Sequence, residues 1–209
     1  MSLENNYVFN LLKQSSHKLY LVGGAVRDYL MGKDTHDCDI IVEDIPAKDF
    51  VSEFVENNDI AASITLDEEN NIYRIIMADK INYIDVTNPV NNSFEEDIKR
   101  RDLTINALAM DIKNGEIIDM VGGQQDLKNK VIRAVSEENF VDDPLRIIRA
   151  YRFASVLGFE IESETKNFIE KHKGRVMMPA VERRNCEILK LFGGKYADRV
   201  LLDMDRAGL

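Results

Sequence analysis

The sequence predicts an α+β protein: a mixed α/β head over residues 1–135, then an all-helical segment over 136–209. Three observations carry this. Short apolar runs bounded by Gly, Pro and Asn recur through the first part, the mark of strands and turns. Stretches with helical apolar spacing alternate with them. From about Ser136 the turn punctuation thins, and only the helical spacing continues.

Taken in order, residues 4–14 form a short amphipathic helix candidate. Leu19-Tyr20-Leu21-Val22 is a compact apolar run ending at Gly23-Gly24, which reads as a strand and a tight turn. Ala25 to Met31 fits a helix closed by Gly32. Cys38 to Val42 is a second strand, followed by punctuation at Glu43-Asp44-Ile45-Pro46 and a helix over Ala47 to Asn57. Strands follow at Ala62 to Leu66, Tyr73 to Met77 and Ile81 to Val86. A loop around Asn88-Pro89 and Asn91-Asn92 leads into a helix from Phe94, and Gly115 and Gly122-Gly123 mark turns. No internal repeat or low-complexity tract interrupts the series.

Composition narrows the function classes. The 209 residues are 44% hydrophobic and 31% charged, ordinary values for a chain that buries a core. No apolar run reaches the roughly 18 residues of a membrane span, and the N-terminus lacks the basic-then-apolar order of a signal peptide. Cys38 and Cys186 stand far apart and beside no other soft ligands, so neither a disulfide framework nor a zinc site is expected, and the compartment reads as cytoplasm. A net charge of −10 argues against a nucleic-acid surface spread over the whole chain. The basic residues nevertheless cluster, at Lys99-Arg100-Arg101, at Arg146, Arg149 and Arg152, and at Arg183-Arg184.

The sharpest feature is Gly23-Gly24-Ala25-Val26-Arg27-Asp28 followed by Asp37-Cys38-Asp39. A glycine pair between strand and helix lets backbone N–H groups approach a phosphate, and Arg27 adds a cationic fork to the same anion. Asp37 and Asp39, two apart on a strand, project from one face. Two such carboxylates repel unless a cation lies between them, and hard oxygen ligands suit Mg2+. A triphosphate beside that metal pair is the layout of in-line nucleotidyl transfer. Taken singly, the glycines are an ordinary turn and Asp-x-Asp a solvated strand end; their order favours the chemical reading. Asp85, ending a neighbouring strand, is a third carboxylate for the metal or a base for an attacking 3′-hydroxyl, or else a turn residue before Asn88-Pro89.

Two further constellations follow. In Arg100-Arg101-Asp102-Leu103-Thr104-Ile105-Asn106-Ala107 the arginines suit phosphate and the aspartate suits ribose hydroxyls; alone, this is also a charged helix start. In Asp142-Asp143-Pro144-Leu145-Arg146-Ile147-Ile148-Arg149-Ala150-Tyr151-Arg152, Asp143 is an N-cap with Pro144 at the first helical position. The apolar residues of this helix point all round its circumference, so the helix is buried. Its arginines then need anionic or base partners, which a nucleotide supplies; pairing with the chain's own acids is the alternative.

These three constellations, in this order, resemble the class II tRNA nucleotidyltransferase and bacterial poly(A) polymerase family of the polymerase β superfamily. The head motif of that family resembles Leu21 to Asp39, its ribose motif Arg100 to Ala107, and its base-selecting motif Asp142 to Arg146. Its Asp-rich connector resembles Asp119 to Leu127 and its neck helix Glu182 to Glu187. The resemblance implies a polymerase β-like nucleotidyltransferase head and an all-α neck, with the body and tail that grip tRNA beyond this chain. By matching position, Gly23, Gly24 and Arg27 hold the triphosphate, and Asp37 and Asp39 hold Mg2+. Arg101, Asp102 and Asn106 hold phosphate and ribose, Asp143 and Arg146 read the base, and Arg149 and Arg152 support the nucleotide. Implied partners are CTP, ATP and the 3′ end of tRNA or another RNA. A carboxylate beside a guanidinium admits the amino bases and rejects uracil and guanine, which set a carbonyl against the carboxylate. Two departures stand out. Asp142 replaces the family's usual glutamate, and the stretch between Val86 and Arg100 is short, as in members that add only CC.

Overall fold

A computed structural model of the chain describes residues 6–34 and 37–209, Asp37 by its backbone alone. The chain divides into two compact units, one of 1–98 with 108–120 and the other of 99–107 with 121–209. This division falls earlier along the chain than the change of pattern at Ser136.

The first unit is built on a seven-stranded sheet. Its strands are β1 (Leu19–Val22), β2 (Asp37–Val42), β3 (Ile60–Asp67), β4 (Ile72–Met77), β5 (Tyr83–Thr87), β6 (Leu108–Asp111) and β7 (Ile117–Asp119), in the order β3-β4-β5-β2-β1-β6-β7. Every pairing is antiparallel except β2 with β5, where Asp39 lies opposite Asp85. Helices α1 (Tyr7–Lys13), α2 (Gly24–Leu30) and α3 (Ala47–Asn57) belong to the same unit, and α4 (Phe94–Lys99) runs to its boundary at Ile98. Residues 4 and 5 of the expected first helix lie outside the described residues; Asn6 caps α1, its side chain accepting from the N–H groups of Val8 and Phe9. On α3, Ala47, Phe50, Val51 and Phe54 recur at helical spacing and enter one core with Cys38, Ile40 and Val42 of β2 and Ile84 and Val86 of β5. Strand alternation therefore turns residues 39 and 85 to the opposite face of the sheet.

The connection into β1 is pinned electrostatically. His17 Nε2 meets Glu53 on α3 at 2.9 Å, and Nδ1 meets Asp44 at 3.1 Å. The hydrogen bond to Glu53, together with the bond and charge of Asp44, outweighs burial and raises the His17 pKa. A folded pKa above the unfolded one contributes stability that is complete below about pH 6.5 and is lost as pH rises through the raised value. The wild type should therefore lose stability between pH 6 and pH 8 more steeply than His17→Gln, in urea unfolding at a series of pH values. Parallel profiles for the two proteins would refute the assignment.

The second unit contains α5 (Gly123–Asn129), β8 (Val131–Ile132), α6 (Glu137–Asp142), α7 (Leu145–Leu157), β9 (Glu160–Ile161), α8 (Ser163–His172), α9 (Val181–Phe192) and α10 (Ala197–Ala207). Helix α7 is buried along most of its length, through Leu145, Ile147, Ile148, Ala150, Tyr151, Phe153, Ala154 and Ser155, and packs against α9 and α10. One element departs from the expected unbroken helical run. Gly158, at φ +74°, ends α7, and the chain turns back so that β9 pairs in parallel with β8. A two-residue strand leaves too little alternation to be seen in a sequence. Among the described residues no helix is long and apolar enough to cross a membrane.

Candidate functional site

In the first unit the glycine turn and the carboxylates converge at one end of the sheet. Gly23 takes φ +71° and ψ −131°, a conformation closed to residues with a Cβ, and its N–H donates to Leu108 O at 3.0 Å. The chain thus leaves β1 abruptly and enters α2 at Gly24, where an added Cβ would sit 3.5 Å from the Arg27 guanidinium. Arg27 is buried and forks onto its neighbour, Nε to Asp28 Oδ1 at 3.0 Å and Nη2 to Oδ2 at 2.8 Å. Since Leu21 pairs with Ile40, the turn emerges level with the first residues of β2. The expected Asp37–Asp39 metal pair is described in part: Asp39 is exposed, whereas the Asp37 side chain lies outside the described residues.

Asp85 stands beside Asp39 on the adjacent strand. It is not a turn residue but lies within β5, and it is held by a cation. Arg74, its cross-strand partner on β4, donates from Nε to Oδ1 and from Nη2 to Oδ2, both at 2.7 Å. The same guanidinium lies 4.1 Å from the Tyr83 ring centroid. Arg74 could not be read from the sequence as a site residue, because it is the antiparallel register that brings it to Asp85.

The second unit gathers the other two constellations. Asp102 is buried and accepts four donors. Oδ1 takes the Leu103 N–H at 2.8 Å and Asn106 Nδ2 at 3.1 Å; Oδ2 takes Arg149 through Nε and Nη2, each at 2.7 Å. Burial works to raise the Asp102 pKa, but the Arg149 charge and the hydrogen bonds from Asn106, Arg149 and Leu103 outweigh it and hold the carboxyl below the usual range. Arg149 also faces Glu187 of α9 at 3.6 Å. Arg152 reaches the other Glu187 oxygen at 2.8 Å, its guanidinium 3.7 Å from the Phe153 ring centroid. For Arg149 and Arg152, then, pairing with acids of the chain is what the structure shows.

Asp143 caps α7 as expected, Oδ1 accepting from the Leu145 N–H at 3.1 Å, while Oδ2 accepts from Arg183 at 2.8 Å. Arg146 is half-buried and donates to the Asn139 carbonyl at 3.0 Å. Burial lowers its pKa and the Asp102 and Asp143 charges oppose the shift; a guanidinium stays charged regardless. Arg101 is fixed through its backbone, whose carbonyl accepts from Asn139 Nδ2 at 2.9 Å. Two partners in this cluster escaped the sequence reading. Glu187 carried two signals, its place at the end of the neck-helix motif and its position four residues before Leu191 on the buried side of α9, but neither pointed to Arg149 or Arg152. Asn139 carried none beyond its place three residues after the cap Ser136.

Comparison with known proteins adds the following. The Poly A polymerase head domain family matches residues 19–133, and a family described as the probable RNA and SrmB-binding site of polymerase A matches residues 158–209. The CCA-adding enzyme of Bacillus pumilus is 37% identical over 203 residues, covering 93% of this chain and 50% of that protein. That of Ligilactobacillus salivarius is 40% identical over 197 residues, covering 90% and 48%. The Thermotoga maritima CCA-adding enzyme complexed with tRNA superposes with a TM-score of 0.88 at 29% identity, over 100% of this chain and 52% of that one. A CCA-adding enzyme in complex with CTP superposes with a TM-score of 0.87 at 28% identity, over 100% and 52%. The chain spans about half the length of the curated relatives it matches.

Proposed function

We propose, from the premise that this chain belongs to the Poly A polymerase head domain family, that it carries the nucleotide-binding and catalytic portion of a tRNA nucleotidyltransferase. The reaction is template-independent addition of CMP, AMP or both to a tRNA 3′ end, in the cytoplasm. The observation that carries this reading is the placement of a glycine turn that no other residue can make beside register-paired carboxylates, in a chain 37–40% identical to CCA-adding enzymes across about nine-tenths of its length.

The division of labour follows the two units. In the first, Gly23, Gly24 and Arg27 receive the triphosphate. Asp37 and Asp39 are the ligands for Mg2+, with Asp85 as a third carboxylate or as base for the 3′-hydroxyl. The donor set suits such an ion: Asp39 is an exposed hard carboxylate, and Asp85, directly paired with it on the adjacent strand, would have to share its oxygens with Arg74 to join it. Mg2+ supplies charge neutralisation at the phosphates when bound. In the second unit Arg101, Asp102 and Asn106 serve phosphate and ribose, Asp143 and Arg146 read the base, and Arg149 and Arg152 support the nucleotide.

Incubation with a divalent cation and tRNA lacking its last three nucleotides, with each nucleoside triphosphate alone and in pairs, tests the reading. CTP alone should be incorporated and UTP and GTP ignored; AMP should appear after CTP in a CCA-adding protein and not at all in a CC-adding one. A long tract from ATP alone would identify poly(A) synthesis instead. Absence of metal-dependent CTP binding together with absence of any incorporation would defeat the proposal.

A further inference from the structure

We propose that Asn139 is the positioning residue that sets the phosphate-binding arginine segment and the base-reading pair in one frame. Asn139 lies on α6 and is buried, 7% exposed. Both donors of its side-chain amide are used on the ribose-motif segment, one on the Lys99 carbonyl at 2.8 Å and one on the Arg101 carbonyl at 2.9 Å. These two carbonyls bracket Arg100. The main-chain carbonyl of the same residue accepts from Arg146 Nη1 at 3.0 Å and from the Asp143 N–H at 3.3 Å. Its own N–H is fixed by the cap, on Ser136 Oγ at 3.3 Å. One residue therefore touches Lys99, Arg101, Asp143 and Arg146.

This chemistry suits a side-chain amide and neither an acid nor an alkyl group in its place. A carboxylate of the same shape would aim lone pairs at two carbonyl oxygens, and an alanine would leave both carbonyls without this donor. Arg146 is long and has many rotamers, so a fixed carbonyl at its tip determines where the guanidinium is presented. Asn139 contacts no substrate atom in this assignment; it acts through the arginines and Asp143. The inference rests on the nucleotide-binding reading above and deepens it by naming what aligns the two recognition elements.

The test uses the 209-residue chain and measures dissociation constants of CTP, UTP and CMP by calorimetry, with melting temperature alongside. In the wild type, the CTP-to-CMP ratio reports phosphate recognition and the CTP-to-UTP ratio reports base recognition. Asn139→Asp should weaken CTP binding about tenfold, the effect of roughly one misplaced charge-assisted contact, and narrow both ratios together. Asn139→Gln, which keeps the two donors on a longer stem, should restore part of both. If Asn139→Asp does not fold, Asn139→Ala is read by the same two ratios. A residue that served stability alone would lower the melting temperature and leave both ratios unchanged, and that result overturns the proposal. A wild type that binds CTP no better than UTP or CMP overturns the nucleotide-binding reading and this inference with it. Discrimination intact in the wild type and equal in the variants overturns this inference alone.

Discussion

Asp39→Ala should lower kcat/KM for CMP transfer by about 10³-fold or more, because charge stabilisation at a metal site amounts to several kcal/mol. The melting temperature should hold. Asp39 is exposed on the sheet face opposite α3, and its neighbour in register, Asp85, is also a carboxylate. Substitution at an exposed strand position shifts stability by only about 0.5 kcal/mol, so a folding defect is not the route to inactivity. Mn2+ binding followed by electron paramagnetic resonance gives a readout independent of turnover, and it should weaken in the same variant. Transfer at wild-type rates, or unaltered Mn2+ binding, would remove Asp39 from the metal site. Asp85→Asn is the informative companion. Its carboxylate is forked onto Arg74, so a variant that loses stability but keeps Mn2+ affinity would define Asp85 as the partner of Arg74 rather than as a ligand.

The sequence made the local elements legible and left the pairings dark. Strand β1 and helix α3 could be bounded to the residue, because a four-residue apolar run closed by glycines and a Phe50, Val51, Phe54 spacing are complete signals within a few positions. Helix α7 was legible as buried for the same reason, its apolar side chains covering the whole circumference. What decides the chemistry of its arginines lies elsewhere in the chain. Arg149 answers to Asp102, which is 47 positions earlier, and Arg152 answers to Glu187 on another helix. Long-range ion pairs leave no periodicity behind. The same holds for Arg74 and Asp85, related only through the β4–β5 register. Motif resemblance proposes residues for the site and carries no information on what holds them in place.

Asp102 shows the distinction most sharply, and Asp102→Asn should separate its two roles. The resemblance gives this aspartate to the ribose, yet its oxygens already receive four donors from the chain, about the full acceptor capacity of a carboxylate. A ribose hydroxyl would have to displace one of them. Asparagine keeps the shape and leaves an oxygen for the Leu103 N–H, but it removes the charge facing Arg149. Glu187, at 3.6 Å, is then the nearest compensating group for a guanidinium whose side chain is only 31% exposed. Breaking a buried pair in this way costs about 3–5 kcal/mol, and the low end applies because Glu187 remains. The sign of the pH dependence follows from the lowered pKa. The pair's contribution is present above about pH 3.9 and is lost as pH falls through the lowered folded value, so the wild-type advantage over Asp102→Asn should be full at neutrality and vanish in strong acid. Binding of CTP against 2′-deoxy-CTP decides the other role. If Asp102 acts chiefly by holding Arg149, unfolding in urea will show the loss of about 3 kcal/mol while the preference for the ribose form stays within about twofold. A collapse of that preference with stability intact would mean that a 2′-hydroxyl displaces one of the four donors, and that the carboxylate reads the sugar directly.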